Sequence, residues 1–188
     1  MAEVRFPLAG PQPAIGALRV LTAQVDLAAR ATVRLIAFPP HVSPPAVEAV
    51  LAATRPPDRL AEPVFVRYRA LSGSGDFEGR SYELALALAD RLLLAGAAGG
   101  RRLHATGTIP PGRGGQVGAV EELGTKLVFL AEAVCAAGDV LFFPLANLRA
   151  LNAEGHAAIA RARQAGVLVH AIGHIEEASF LWAAAKNA

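Results

Sequence analysis

The sequence predicts one α+β domain, a mixed parallel and antiparallel sheet packed with helices, and three observations lead to it. A chain of 188 residues can bury one sizeable core but hardly two, so residues 1–188 read as a single domain. Its second half alternates β-type and helical runs, the signature of βαβ units with parallel pairing. Its first half sets β-type runs closer together, which marks the more antiparallel part.

The elements follow in chain order. Proline and glycine punctuate residues 1–16, which predicts an irregular lead-in. "LRVLTAQVDLAARATVRLIAF" (18–38) holds two β-type runs separated by Ala28-Ala29-Arg30, as in a hairpin or meander. "SPPAVEAVLAAT" offers Ser43 as a cap, prolines for a first turn, and Val47, Val50 and Leu51 at helical spacing. "PVFVRYRA" alternates and predicts a strand over 63–70; after the loop "LSGSGDFEGR", "SYELALALADRLLLAG" predicts a buried helix over 81–96 ending at Gly96. "RLHATGTI" then reads as a strand, "PPGRGGQVG" as a turn, and a helix carrying Lys126 runs to a stop at Gly138. "DVLFFP" is a short buried strand closed by Pro144, "AEGHAAIARARQAG" a helix, "VLVHAI" a strand and "GHIEEASFLWAAA" a final helix.

Hydrophobic residues make up 53% of the chain and charged residues 18%, against about 25% charged in an ordinary globular domain, so part of the surface is expected to lie against other subunits. The longest apolar runs are cut by Asp90-Arg91, Arg149 or His170 before they reach the roughly 20 residues of a membrane span. The opening "MAEVRFPLAGPQP" lacks the layout of a secretory leader, and a soluble cytoplasmic protein is the expectation. A formal charge of +2 and arginines scattered everywhere but at Arg101-Arg102 argue against a nucleic-acid partner. A single cysteine, Cys135, excludes an internal disulfide and a cysteine-based metal cluster, and its setting "AEAVCAAG" reads as packing.

Two motifs give way to bland readings. A dinucleotide fingerprint begun at Gly112 in "GRGGQVG" needs glycine where Val117 stands, and a Walker loop needs Gly-Lys-Ser/Thr where the chain has Gly124-Thr125-Lys126-Leu127, so a tight turn is expected. His170 and His174 have the i, i+4 spacing of two metal ligands, with Glu176 and Glu177 nearby, but Gly173 separates a strand from a helix start between them. His41, His104 and His156 form no cluster in sequence, and neither a metal nor a cofactor is expected.

Ser81 and Lys126 hold more interest. Gly79-Arg80-Ser81-Tyr82-Glu83 is one residue short of a hydrolase nucleophile elbow, with Glu83 in place of its second glycine. A serine at a helix start is first of all an N-cap, but it also lies among backbone N–H groups able to stabilise an oxyanion. Lys126 and Lys186 are the chain's two lysines, against sixteen arginines. A lysine acting as a base near neutral pH needs its pKa brought from about 10.4 to about 7. Burial among Leu123, Leu127, Leu130 and Ala133, and a place in the first turn of a helix, both push that way, whereas arginine would stay charged. The alternative is a snorkelling lysine whose stem covers apolar surface while its head reaches water. Spacing alone leaves the two readings level.

The same residues carry a resemblance. Glu78-Gly79-Arg80-Ser81 opening "LALALA", Thr106-Gly107 at a strand end, Gly115-Gln116-Val117 laid without a gap ahead of Lys126, the proline-ended "DVLFFP" and His174-Ile175-Glu176-Glu177 together resemble the proteolytic domain of the Lon protease family. Coverage is good over residues 63–182 and faint over 18–60. The resemblance implies a Lon proteolytic-domain-like fold and a Ser81/Lys126 catalytic dyad, with Thr106 orienting the lysine and Glu78 and Gly79 supporting the nucleophile. It also implies hydrolysis of peptide or unfolded-protein substrates, no cofactor, and a homo-oligomeric ring of hexameric type. Without a Walker motif the chain would not use ATP itself, which leaves room for a separate ATPase partner.

Departures from the family pattern fall at Arg80, Tyr82 and Glu83, where the family has proline, alanine and glycine, at Thr108 in place of a glutamate, and at Glu121-Glu122 in place of a glycine pair. The bulk of Arg80 and Tyr82 keeps a second reading open, a catalytically weak or inactive Lon-like domain serving as an oligomeric assembly or protein-binding module. A third is a phosphate-ligand binder built on "GRGGQVG".

Overall fold

The computed structural model describes residues 3–8, 13–22, 33–73, 77–97 and 101–183. Strands β1 (Val4–Leu8), β2 (Ala14–Thr22), β3 (Val33–Ile36), β4 (Val64–Ala70), β5 (Leu103–Ala105), β6 (Val140–Pro144) and β7 (Leu168–Ile172) form one sheet in the order β3-β4-β2-β1-β5-β6-β7. Helices α1 (Pro44–Thr54), α2 (Glu83–Leu94), α3 (Leu123–Phe129), α4 (Ala153–Gln164) and α5 (Phe180–Ala183) complete the α+β architecture. As the alternation of elements predicts, β1, β5, β6 and β7 pair in parallel, while β2 is antiparallel to both β1 and β4.

Two expectations for the first half need correction. The lead-in is not irregular: Val4, Phe6 and Leu8 of β1 are buried, and β1 lies at the middle of the sheet. Its proline is tolerated because β5 pairs only with Val4 and Arg5, short of Pro7. The expected hairpin within 18–38 does not form either, since β4 enters between β2 and β3. Seven-residue β4 zips to β2 from Gly16–Ala70 to Thr22–Val64, an extent that four-residue β3 could not match, and β3 then joins the far edge of β4 in parallel. The separator Ala28–Arg30 lies outside the described residues.

The helices follow their signals with two exceptions. Ser43 caps α1, its hydroxyl accepting from the Ala46 N–H at 3.4 Å, and prolines fill the first turn. Asn152 caps α4 in the same way through the Gly155 N–H at 2.9 Å. The Lys126 helix is shorter than expected: α3 passes into a π turn over Leu130–Val134, closed by the Cys135 N–H on the Leu130 carbonyl, and turns extended at Cys135 before Gly138 is reached. The last helix is broken into a 3-10 turn, Ile175–Ala178, and α5. Glu177 causes the early start, its carboxylate accepting from the N–H groups of Gly173 at 3.0 Å and His174 at 2.9 Å.

Both faces of the sheet are covered. Along β6, Val140 and Phe142 join the core beneath α1 and α2, whereas Leu141 and Phe143 join the core beneath α3 and α4, the period-two alternation of a strand buried on both sides. Leu84, Leu86 and Leu88 of α2 are wholly buried, each worth roughly 1.5–3 kcal/mol of transfer free energy. One buried ion pair joins the end of α1 to α2: Arg55 donates to Asp90 through Nε at 2.8 Å and Nη2 at 2.6 Å, and its Nη1 donates to the Glu62 carbonyl at 2.6 Å. Among the described residues, no helix is long and apolar enough to cross a membrane.

Candidate active site

The turn that presents Ser81 is set from both sides. Gly79, just upstream, has φ +77°; an added Cβ would meet nothing within 4 Å, so backbone conformation rather than space calls for glycine. Downstream, the Ser81 carbonyl accepts from the Gly107 N–H at 3.0 Å, and the Leu84 N–H donates to the Gly107 carbonyl at 3.1 Å. Here space decides: a Cβ on Gly107 would lie 3.0 Å from Leu84 Cβ and 3.1 Å from Val117 Cγ1. The serine is half-buried and does not cap α2, whose cap position is Tyr82 and which has no side-chain cap. The N–H groups of Ser81 and Tyr82 have no backbone acceptor among the described residues.

Tyr82 does not obstruct this turn. Its ring is buried 5.3 Å from the Phe77 ring, with Phe6 and Phe38 at 6.4 and 6.5 Å, and burial pushes its hydroxyl pKa up to about 12. The side chain that stood out as bulk in the sequence is core. Arg80 stays at the surface.

Lys126 lies in the last turn of α3, not the first turn that the sequence predicts, so the positive end of the helix dipole does not act on its charge as expected. The helix starts after Glu122, which holds a left-handed conformation (φ 55°, ψ 29°) where the resembling family has glycine. The lysine is 7% exposed, and its Nζ donates to the Glu121 carbonyl at 3.0 Å. It is therefore not a snorkelling side chain. Burial lowers its pKa, while the nearby carboxylates of Glu122 and Glu121 raise it less, so the net displacement is downward.

Ser81 and Lys126 line one cavity of about 540 Å³. Glu78, Gly79 and Arg80 form the wall beside the serine, and Ala119 to Glu122 the wall beside the lysine. Thr106 makes no hydrogen bond to the lysine. It is wholly buried, its N–H is bonded to the Phe142 carbonyl of β6, and its Oγ1 has no hydrogen-bond partner among the described residues. The amine is taken instead by the carbonyl that ends the segment before α3.

Asn147, in the 3-10 turn Leu145–Ala150, braces that segment. Its Oδ1 accepts from the Val120 N–H at 2.9 Å and its Nδ2 donates to the Val120 carbonyl at 2.8 Å. In the sequence it is one polar residue of a loop, 27 positions away, with no signal of this role. The pairing of Arg80 with Glu83 is different, because opposite charges three apart at a helix start are visible in the sequence.

The remaining candidates sort as the sequence predicts, with one addition. His170 lies on β7 and His174 in the turn beyond it; His174 Nε2 meets the Gly114 carbonyl at 2.6 Å, and its Nδ1 accepts from the Glu176 N–H at 3.2 Å. "GRGGQVG" is a turn, docked on that segment through the carbonyls of Gly114 and Gly115. His104, which has no cluster in sequence, meets one in space: its donor atom, that of Cys135 and that of Asp139 lie within 4.8 Å of one another. Asp139 is already occupied by His104 at 3.1 Å, Arg102 Nε at 3.0 Å and the Ala136 N–H at 3.0 Å. Burial and Asp139 push the Cys135 thiol up to about 12, away from the thiolate a metal would need.

No protein-family model matches the chain, and no curated protein matches it in sequence.

Proposed function

We propose that the chain is a serine peptidase of the kind it resembles, a stand-alone Lon-like domain that cleaves peptide bonds with a Ser81/Lys126 dyad and does not itself use ATP. The shared cavity carries the reading: a serine at a helix start, beside N–H groups with no backbone acceptor, faces the same space as a buried lysine whose pKa is depressed. In its neutral form Lys126 takes the Ser81 hydroxyl proton as the oxygen attacks the scissile carbonyl. The oxyanion accepts hydrogen bonds from the N–H groups at the turn, the amine leaves with the proton from Lys126, and water repeats the sequence on the acyl-enzyme. Thr106 supplies a buried hydroxyl free to bond the amine when it turns from the Glu121 carbonyl.

Peptide or unfolded-protein substrates, a homo-oligomeric ring, a separate ATPase partner and a cytoplasmic location belong to the same reading. A second one, the assembly or protein-binding module, draws on Lys126 being bonded to the Glu121 carbonyl instead of Thr106. Tyr82 packed into the core and the open cavity favour catalysis. Hydrolysis of casein and of an unstructured peptide by wild type, Ser81→Ala and Lys126→Ala decides between them. Turnover lost in both variants supports the dyad; unchanged turnover in either removes it.

A further inference from the structure

We infer that Arg80 and Glu83 form a clamp that positions Ser81, a reading that rests on the dyad proposed above. Glu83, the first residue of α2, is 2% exposed, and a buried carboxylate needs partners for its lone pairs. It has three donors: Arg80 Nε at 2.6 Å, Arg80 Nη2 at 3.2 Å and the Ile109 N–H at 2.7 Å. Arg80 Nη2 also donates to the Ile109 carbonyl at 3.3 Å, so arginine and glutamate grip both backbone groups of one residue. Between these anchors the Ser81 carbonyl and Leu84 N–H are bonded to Gly107. Residues 80–84 are thus fixed to 107–109 on either side of the nucleophile.

An ion pair at i, i+3 on an open helix surface contributes little, about 0.2–0.5 kcal/mol. This one differs because its acid is buried and because its base lines the candidate catalytic cavity. Burial raises the Glu83 pKa on balance, and the Arg80 and Ile109 hydrogen bonds oppose that rise. Two departures from the family pattern, Arg80 for proline and Glu83 for glycine, thereby become one device. Proline would stiffen the turn covalently; here an ion pair holds it.

The test uses the full chain and the variants Arg80→Gln, Arg80→Lys, Glu83→Gln and Ser81→Ala. The readouts are kcat and KM separately on a fluorogenic peptide, and the rate of covalent labelling by a fluorophosphonate. A serine displaced by about 1 Å loses roughly a hundredfold in rate, so kcat and labelling should fall by roughly 10- to 100-fold in Arg80→Gln and Glu83→Gln. KM should stay within about twofold, because the proposed role acts through Ser81 and not on the ground-state substrate. Arg80→Lys, which keeps a cation beside Glu83, should recover much of the lost kcat. A kcat within about twofold of wild type in folded Arg80→Gln overturns the clamp and leaves the dyad standing. Wild-type turnover in Ser81→Ala overturns the dyad itself. Should Glu83→Gln not fold, Arg80→Gln carries the test, since its side chain is 55% exposed.

Discussion

Replacing Lys126 by methionine should make the protein more stable while abolishing its activity. The lysine is 7% exposed and bonded once, to the carbonyl of exposed Glu121, which water can take over when the amine is gone. Methionine keeps the apolar stem in the core of Leu123, Leu127 and Leu130 and removes the charge. Burial holds the lysine pKa in the folded chain below that of the unfolded chain, so the unfolded chain keeps its proton to higher pH. Wild-type stability therefore rises with pH between the depressed pKa and about 10.4, and is lowest below that window.

Each pH unit of that window is worth about 1.4 kcal/mol. Near neutral pH, Lys126→Met should therefore unfold at a higher urea concentration and a higher Tm than wild type. Urea unfolding of both proteins near neutral pH and near pH 10 is the assay. Wild type should gain on the variant as pH rises. A variant less stable than wild type near neutral pH, with no pH-dependent difference, would refute the claim that this ammonium is held against its preference.

Three further outcomes follow from the structure. Asp90→Ala leaves Arg55 buried without its carboxylate and should cost about 3–5 kcal/mol in a urea or thermal melt. Glu122→Gly removes a left-handed conformation that costs a non-glycine residue roughly 1–2 kcal/mol; after glycine's own entropy of about 0.5–1 kcal/mol, stability should hold or rise slightly. It also removes a carboxylate that raises the Lys126 pKa, so the alkaline rise in peptidase activity should move to lower pH. Cys135, with its thiol pushed up to about 12, should react with iodoacetamide at least a hundredfold more slowly in the native chain than in urea, where its pKa returns to about 8.5.

Local signals were read well wherever one element's own chemistry decided the outcome. Ser43 with its prolines located α1, the alternation of "VFVRYR" located β4, and the apolar run "LALALA" located α2. Distant partners decide the rest. "VRFPL" looked like a proline-broken lead-in, since its burial comes from β2, β5 and α2, none of which is local. The insertion of β4 between β2 and β3 depends on matching lengths across the sheet, which no window of sequence displays.

The candidate site divides in the same way. The oddity of one internal lysine among arginines pointed to Lys126, and the expected burial is found, whereas the expected place in the first turn of its helix is not. Glu121 and Glu122, which could have held the amine charged, are exposed at the cavity wall, and burial outweighs them. Thr106, expected by resemblance to orient the lysine, makes no hydrogen bond to it. The brace from Asn147 and the meeting of His104 with Asp139, 35 positions apart, join residues that only the folded chain brings together. Tyr82 misled because size was visible in the sequence and direction was not.

The dyad is tested most directly by mass spectrometry of the chain after reaction with a fluorophosphonate. One phosphonyl adduct is expected, on Ser81, absent in Ser81→Ala and formed far more slowly in Lys126→Ala at the same pH. An adduct elsewhere, or labelling of Ser81 at an unchanged rate without Lys126, would contradict it.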